Sequence, residues 1–348
     1  MKLFEWKENP FNFKILPELF VGYSNELKSM SDVLENREKF SLLIGPTGSG
    51  KTTLLRHMSR KFNKKYIIYY LPKPPKDPTD LIGIFTKYMG GGVFDKLFSR
   101  EKNITLYNLS EWVSKKLKEN ELFLFFDESH EASIETLEWL RTIVDQVDGL
   151  SVVLSGLPVL DSLLKEQLET FTCRVNTKIE LTNLTRSETR EMIKKRIEWA
   201  GGGDIKPFTS ETIDHVYDTT GGFPREVIRV CNSLVKKALE KNISTIDVNF
   251  LNEVEYGSVK RVPLNSLEGI PARQRSILEL LNGRGPMTPT EIVANMDLSE
   301  YKDKQNAIRS VNNILKRLLK DEFLTRKGRG KSYQYMVSEK IKTLLVNK

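Results

Sequence analysis

The sequence predicts an α/β protein: a parallel sheet flanked by helices, then a helical segment, then a small helix-turn-helix module ending in a basic hairpin. Three observations predict it. Residues 45–52 read Gly-Pro-Thr-Gly-Ser-Gly-Lys-Thr, a G-x-x-x-x-G-K-[ST] phosphate-binding loop with an apolar run before it and helical spacing after it. A second apolar run, Leu122 to Phe126, ends in Asp127-Glu128. From Thr185 the apolar period becomes helical, and residues 265–348 hold 16 Lys and Arg against 9 Asp and Glu, which places +7 of the net +8 there.

The 348 residues are 39% hydrophobic and 29% charged, which fits two or three globular domains. No apolar run approaches membrane-spanning length and no leader-like segment opens the sequence. The expectation is a cytoplasmic, nucleoid-associated protein with no membrane partner. Cys173 and Cys231 are the two cysteines, without metal-ligand spacing or a disulfide framework. The basic C-terminal quarter points to a polyanion partner.

Taken in order, residues 25–34 place Leu27, Met30, Val33 and Leu34 on one helix face. Phe40 to Ile44 reads as a buried parallel strand. In the loop that follows, Gly45 to Gly50, the backbone of Gly45, Thr47, Gly48, Ser49 and Gly50 would bring N–H groups to a phosphate chain, while Pro46, which has no N–H, belongs to the same nucleotide-binding loop. Lys51 would reach the β- and γ-phosphates, Thr52 would ligate Mg²⁺, and Thr53 continues the helix start, whose dipole favours the same phosphates. The cofactors expected are ATP or ADP with Mg²⁺. Lys65 to Leu71 is a second strand, ended by a Pro-rich run; a helix follows to Met89. Val93 to Ile104 reads as a basic loop, and Leu109 to Leu117 as a helix. Leu122 to Phe126 has the continuous apolar character of a central parallel strand, so Asp127 and Glu128 fall at the ligand crevice of the sheet. Asp127 would hold Mg²⁺, directly or through water, and Glu128 would polarise the attacking water. His130 nearby reads as structural. Leu150 to Leu154 is the next strand, with Ser155 at its tip, and Lys178 to Leu181 is the last one of the base.

The helical segment contains helices over Ser187 to Trp199, Thr209 to Tyr217 and Val227 to Leu239, the third led in by Gly221-Gly222-Phe223-Pro224-Arg225. The order of phosphate loop, Asp-Glu box, helical lid and G-G-x-P-R helix start resembles AAA+ ATPases. The version here is similar to the origin-recognition and Cdc-type replication initiators, and also to secretion and transposition ATPases. Tyr23 and Ser155 stand where that pattern more often has Arg and Asn. The resemblance covers about residues 18–255. It implies ATP bound between base and lid, with Arg225 on the γ-phosphate. It also implies an Arg before the last base strand, matched by Arg174 with Arg186 and Arg190 as competitors, acting on a neighbour's ATP; self-association in the ATP state follows.

Beyond the lid, helices over Arg273 to Leu281, Glu291 to Met296 and Lys304 to Leu319 precede strands at Phe323 to Thr325 and Tyr333 to Val337. That is the order of a winged helix-turn-helix. Gln305, Arg309, Asn312, Asn313 and Lys316 would face base edges, and the basic turn with Arg326, Lys327, Arg329 and Lys331 would face phosphates or a minor groove. The sequence thus predicts a base over residues 1–182, a lid over 183–262 and a winged helix over 263–348. The expected function is a Mg²⁺-dependent, slowly hydrolysing, DNA-binding ATPase of replication-initiator type with double-stranded DNA as partner. A transposition ATPase, meeting replication or transposition proteins, and an ATP-switched signalling or transcription regulator are the alternatives.

Overall fold

The computed structural model describes residues 2–89, 104–253, 272–296, 303–320, 323–329 and 332–338. Most of the predicted loop at 93–104, the linker residues 254–271 and Lys331 lie outside the described residues. Two units are present, residues 14–182 and residues 1–13 with 183–348.

The first unit is the base. Its helices are α1 (Ser24–Glu35), α2 (Lys51–Phe62), α3 (Asp80–Met89), α4 (Leu106–Leu117), α5 (Ile134–Gln146), α6 (Pro158–Gln167) and the short α7 (Glu169–Thr172). Its strands are β1 (Phe40–Ile44), β2 (Ile67–Leu71), β3 (Leu122–Phe126), β4 (Leu150–Gly156) and β5 (Thr177–Glu180). They form one parallel sheet in the order β2-β3-β4-β1-β5. The three central strands, β3, β4 and β1, are buried at every residue, as expected when helices cover both faces. Leu42, Leu124, Phe126, Val152 and Leu154 meet Leu137, Leu140 and Phe171 in one core. Each such buried side chain contributes about 1.5–3 kcal/mol.

In the second unit, α8 (Arg186–Trp199), α9 (Ser210–Thr220), α10 (Pro224–Glu240) and α11 (Val248–Glu253) form the helical segment that the sequence reading takes as the lid. The sequence suggests a Ser187 start for α8. The helix begins at Arg186 instead, because Thr185 and Glu188 cap it reciprocally. Residues 2–13, which the sequence reading groups with the base, carry contacts to this segment. Lys7 N–H donates to Ala200 O at 2.9 Å, the Arg196 guanidinium to Pro10 O at 2.8 Å, and the Phe11 ring meets Phe208 edge-on at 5.6 Å. Trp6 and Phe11 are buried there.

Gly222 is a tight point of the lid. Its φ is +74°, and a Cβ would lie 2.2 Å from the Leu184 carbonyl oxygen. Gly222→Ala is expected to lower stability by about 2–3 kcal/mol, read from urea unfolding. A change below about 0.5 kcal/mol would show that the turn can relax.

The C-terminal module has α12 (Ala272–Arg284), α13 (Pro289–Ala294), α14 (Lys304–Lys320) and an antiparallel hairpin of β6 (Leu324–Arg329) and β7 (Ser332–Val337). Thr288 and Glu291 cap α13, with Pro289 in its first turn. Met287 makes an isolated antiparallel bridge to Tyr335. Ile277, Leu281, Ile292, Val311, Leu315 and Tyr335 share one core. The strand predicted at Phe323 to Thr325 is longer. Arg326, Lys327 and Arg329 belong to β6 and pair with Tyr335, Gln334 and Ser332, so they are ladder residues and not turn residues.

Candidate nucleotide site

The site forms at the C-terminal edge of the parallel sheet, where strand ends leave a ligand crevice. β1 delivers the phosphate loop. Gly48 and Gly50 have φ of +86° and +103°, which the loop's turn requires. At Gly45 the constraint is space: a Cβ would come within 2.5 Å of Leu181 O. α2 starts at Lys51, so the amide end of the helix points to the loop. Lys51 is 5% exposed, and its ammonium donates to Gly45 O at 2.7 Å and Pro46 O at 3.1 Å.

β3 delivers Asp127 and Glu128. Asp127 is buried, and its carboxylate accepts four hydrogen bonds. Oδ2 accepts from the Thr52 hydroxyl at 2.6 Å and the Tyr70 hydroxyl at 2.9 Å; Oδ1 accepts from the Ser155 hydroxyl at 3.0 Å and Glu128 N–H at 3.1 Å. The proposed metal pair, Thr52 and Asp127, is therefore in direct contact. Among the described residues no group of three His, Cys, Asp or Glu could hold a metal ion. A hydroxyl backed by one carboxylate suits Mg²⁺ that arrives with a nucleotide and draws its other ligands from phosphates and water. Ser155, near the end of β4, donates its hydroxyl proton to Asp127 and is fully buried.

Glu128 follows with φ of +52°, a conformation unusual for a side chain with a Cβ, and it stays partly exposed. Its Oε2 lies 3.6 Å from His130 Nδ1, beyond hydrogen-bond distance. Glu128 is thus held at the crevice by the backbone, with its carboxylate available to a water.

Tyr23 has a role that the sequence pattern does not suggest. It is buried, and its hydroxyl lies 2.9 Å from Ser49 O in the phosphate loop and 3.2 Å from Thr182 O past β5. It ties the loop to the end of the sheet. Phe20 stacks on Tyr23 at 5.9 Å and lies 5.6 Å from the His57 ring.

The remaining candidates lie elsewhere. Arg174 shares a cleft with Asn36 to Phe40 at the N-terminal end of β1, so the length of a five-residue strand, roughly 15 Å, separates it from its own phosphate loop. Its guanidinium is held by Asp145 at 2.6 Å and Thr170 O at 2.7 Å. Arg186 pairs with Asp214 and Asp218 and lies over the Tyr217 ring; Arg190 donates to Ser210 at 3.2 Å. Arg225 is exposed on the first turn of α10, with no ion pair to another described residue. Gln305, Arg309, Asn313 and Lys316 are exposed on α14, Asn312 is half-buried, and Arg317 adds a cation to the exposed side. Arg326 lies over the half-exposed Tyr333 ring at 4.3 Å, and Lys327 is exposed.

A five-stranded parallel sheet in this order, with this loop and this acidic strand end, has the fold of an AAA+ P-loop NTPase. Residues 34–164 match the family described as "AAA domain". An uncharacterized HTH-type transcriptional regulator of Methanocaldococcus jannaschii is 23% identical over 205 residues, covering 57% of this chain and 48% of its own length. General secretion pathway protein A of Aeromonas hydrophila is 24% identical over 245 residues, 66% of this chain and 43% of its own. The chain thus spans less than half the length of either relative. The ORC2 protein of Aeropyrum pernix, in its ADPNP–ADP complexes, superposes with a TM-score of 0.66 at 16% identity, covering 97% of this chain and 96% of that one. At that identity the likeness is one of fold. No helix among the described residues is long and apolar enough to cross a membrane.

Proposed function

We propose that the protein is a nucleotide-switched, double-stranded-DNA-binding ATPase of replication-initiator type. The observation that carries the reading is one chain with two features: a phosphate loop joined to Asp127 through Thr52, and an exposed amide-and-cation helix face beside a basic hairpin. Lys51 and the loop amides bind the phosphates. Thr52, with Asp127 behind it, would hold Mg²⁺, which would supply positive charge to offset that of the phosphates. Glu128 accepts a proton from the attacking water. Arg225 is the proposed sensor of nucleotide state, and Arg174 the proposed arginine that acts on a second copy's nucleotide. The C-terminal module is read as a winged helix. In it, Arg309, Asn313 and Gln305 address base edges, and Lys316, Arg326 and Lys327 address phosphates.

The test is fluorescence anisotropy of the full chain on duplex DNA, at two salt concentrations, with ATP, ADP and no nucleotide. Binding should weaken with salt and respond to nucleotide. Arg309→Ala with Lys316→Ala should weaken it at least about tenfold. No binding at low salt would sink the DNA reading. A second reading, a transcription regulator, is favoured by the name of the Methanocaldococcus jannaschii relative. Protection of a promoter-proximal site in footprinting would select it over an origin-type site.

A further inference from the structure

Tyr70 belongs to no motif, yet it reaches the acidic centre of the site. It stands on β2, paired with Phe125 on β3, two positions before Asp127. From there its hydroxyl donates to Asp127 Oδ2 at 2.9 Å, the oxygen that also accepts from Thr52 at 2.6 Å. A carboxylate oxygen has two lone-pair sites for such bonds. Two hydroxyls fill both on Oδ2, while Ser155 and the Glu128 amide occupy Oδ1. A phenol keeps its proton at neutral pH, so Tyr70 is a donor here. Arg56, one turn after Thr52 on α2, lies over the Tyr70 ring at 5.0 Å and steadies it.

We propose that Tyr70 is a positioning residue for the Mg²⁺ limb of the site. It holds Asp127 as the acceptor of the Thr52 proton, which leaves a Thr52 lone pair for the cation and assigns Asp127 an indirect role in cation binding. With Tyr70 removed, Oδ2 gains an open lone pair and is held by Thr52 alone, while Ser155 and the Glu128 amide still hold Oδ1. The inference rests on the nucleotide-and-Mg²⁺ reading of the site.

The experiment is calorimetric titration of the full chain with ADPNP, once with Mg²⁺ and once with EDTA. Wild type should bind more tightly with Mg²⁺. Tyr70→Phe should keep its EDTA affinity within twofold of wild type, and its Mg²⁺-dependent gain should fall five- to tenfold. In an Asp127→Asn background, adding Tyr70→Phe should change the gain no further, since Tyr70 acts through Asp127. An undiminished gain in Tyr70→Phe, or an equal further loss in the Asp127→Asn background, overturns the positioning role. So does a parallel loss of affinity in EDTA, which would make Tyr70 a structural residue. If wild type itself binds ADPNP no better with Mg²⁺ than with EDTA, the Mg²⁺ reading fails first and the inference goes with it.

Discussion

Lys51→Ala is expected to weaken ATP binding by at least about 100-fold, roughly 2.7 kcal/mol. The side chain is nearly buried at the mouth of the loop, and its ammonium is held by Gly45 O and Pro46 O. A cation already desolvated and oriented loses little more on meeting phosphate, so its charge-assisted bonds count for more than those of a surface lysine. The variant loses both the proposed phosphate contact and the tie between the first two loop carbonyls. Titration with a fluorescent, non-hydrolysable ATP analogue measures the loss. A dissociation constant within threefold of wild type would remove Lys51 from the binding machinery.

Glu128→Gln should separate binding from hydrolysis. The substitution keeps size and hydrogen-bonding capacity while removing the proton acceptor. Hydrolysis is expected to fall about 10²- to 10³-fold, with ATP affinity within threefold of wild type. Gln meets the same left-handed backbone as Glu at φ +52°, so local geometry gives no reason for a folding defect. Phosphate release under steady-state conditions reads the outcome. Equal hydrolysis in both proteins would assign the water-activating role elsewhere.

The base was legible in the sequence because its strands are apolar runs and its chemistry follows them directly. β1 and β3 have the predicted limits, and Asp127 and Thr52 meet as their motifs require. What stayed hidden depends on packing between distant segments. Tyr70 and Asp127 meet through the β2–β3 register, which no local spacing encodes. Tyr23 fills a motif position with a different residue, and its use as a clamp on Ser49 O depends on where the loop backbone lies. The packing of residues 2–13 on the lid segment is invisible in an aperiodic stretch rich in Phe and Trp. The extent of β6 escaped because Arg326 to Arg329 looks like a turn by composition, while ladder pairing with Gln334 and Tyr335 makes it strand.

The phosphate loop is contiguous in sequence, but its two supports arrive late in synthesis. Gly45 N–H donates to Gly156 O at 3.2 Å, and Leu181 N–H donates to Ile44 O at 2.8 Å. β1 has no sheet partner until β4 has left the ribosome, and lacks its second until β5 follows. Pairings between such distant segments form slowly, because the intervening chain must be closed first. A nascent chain shorter than Leu181 therefore carries the whole motif without the native site. Nucleotide, which stabilises the native state by binding it selectively, becomes an aid to folding once the last base strand is made.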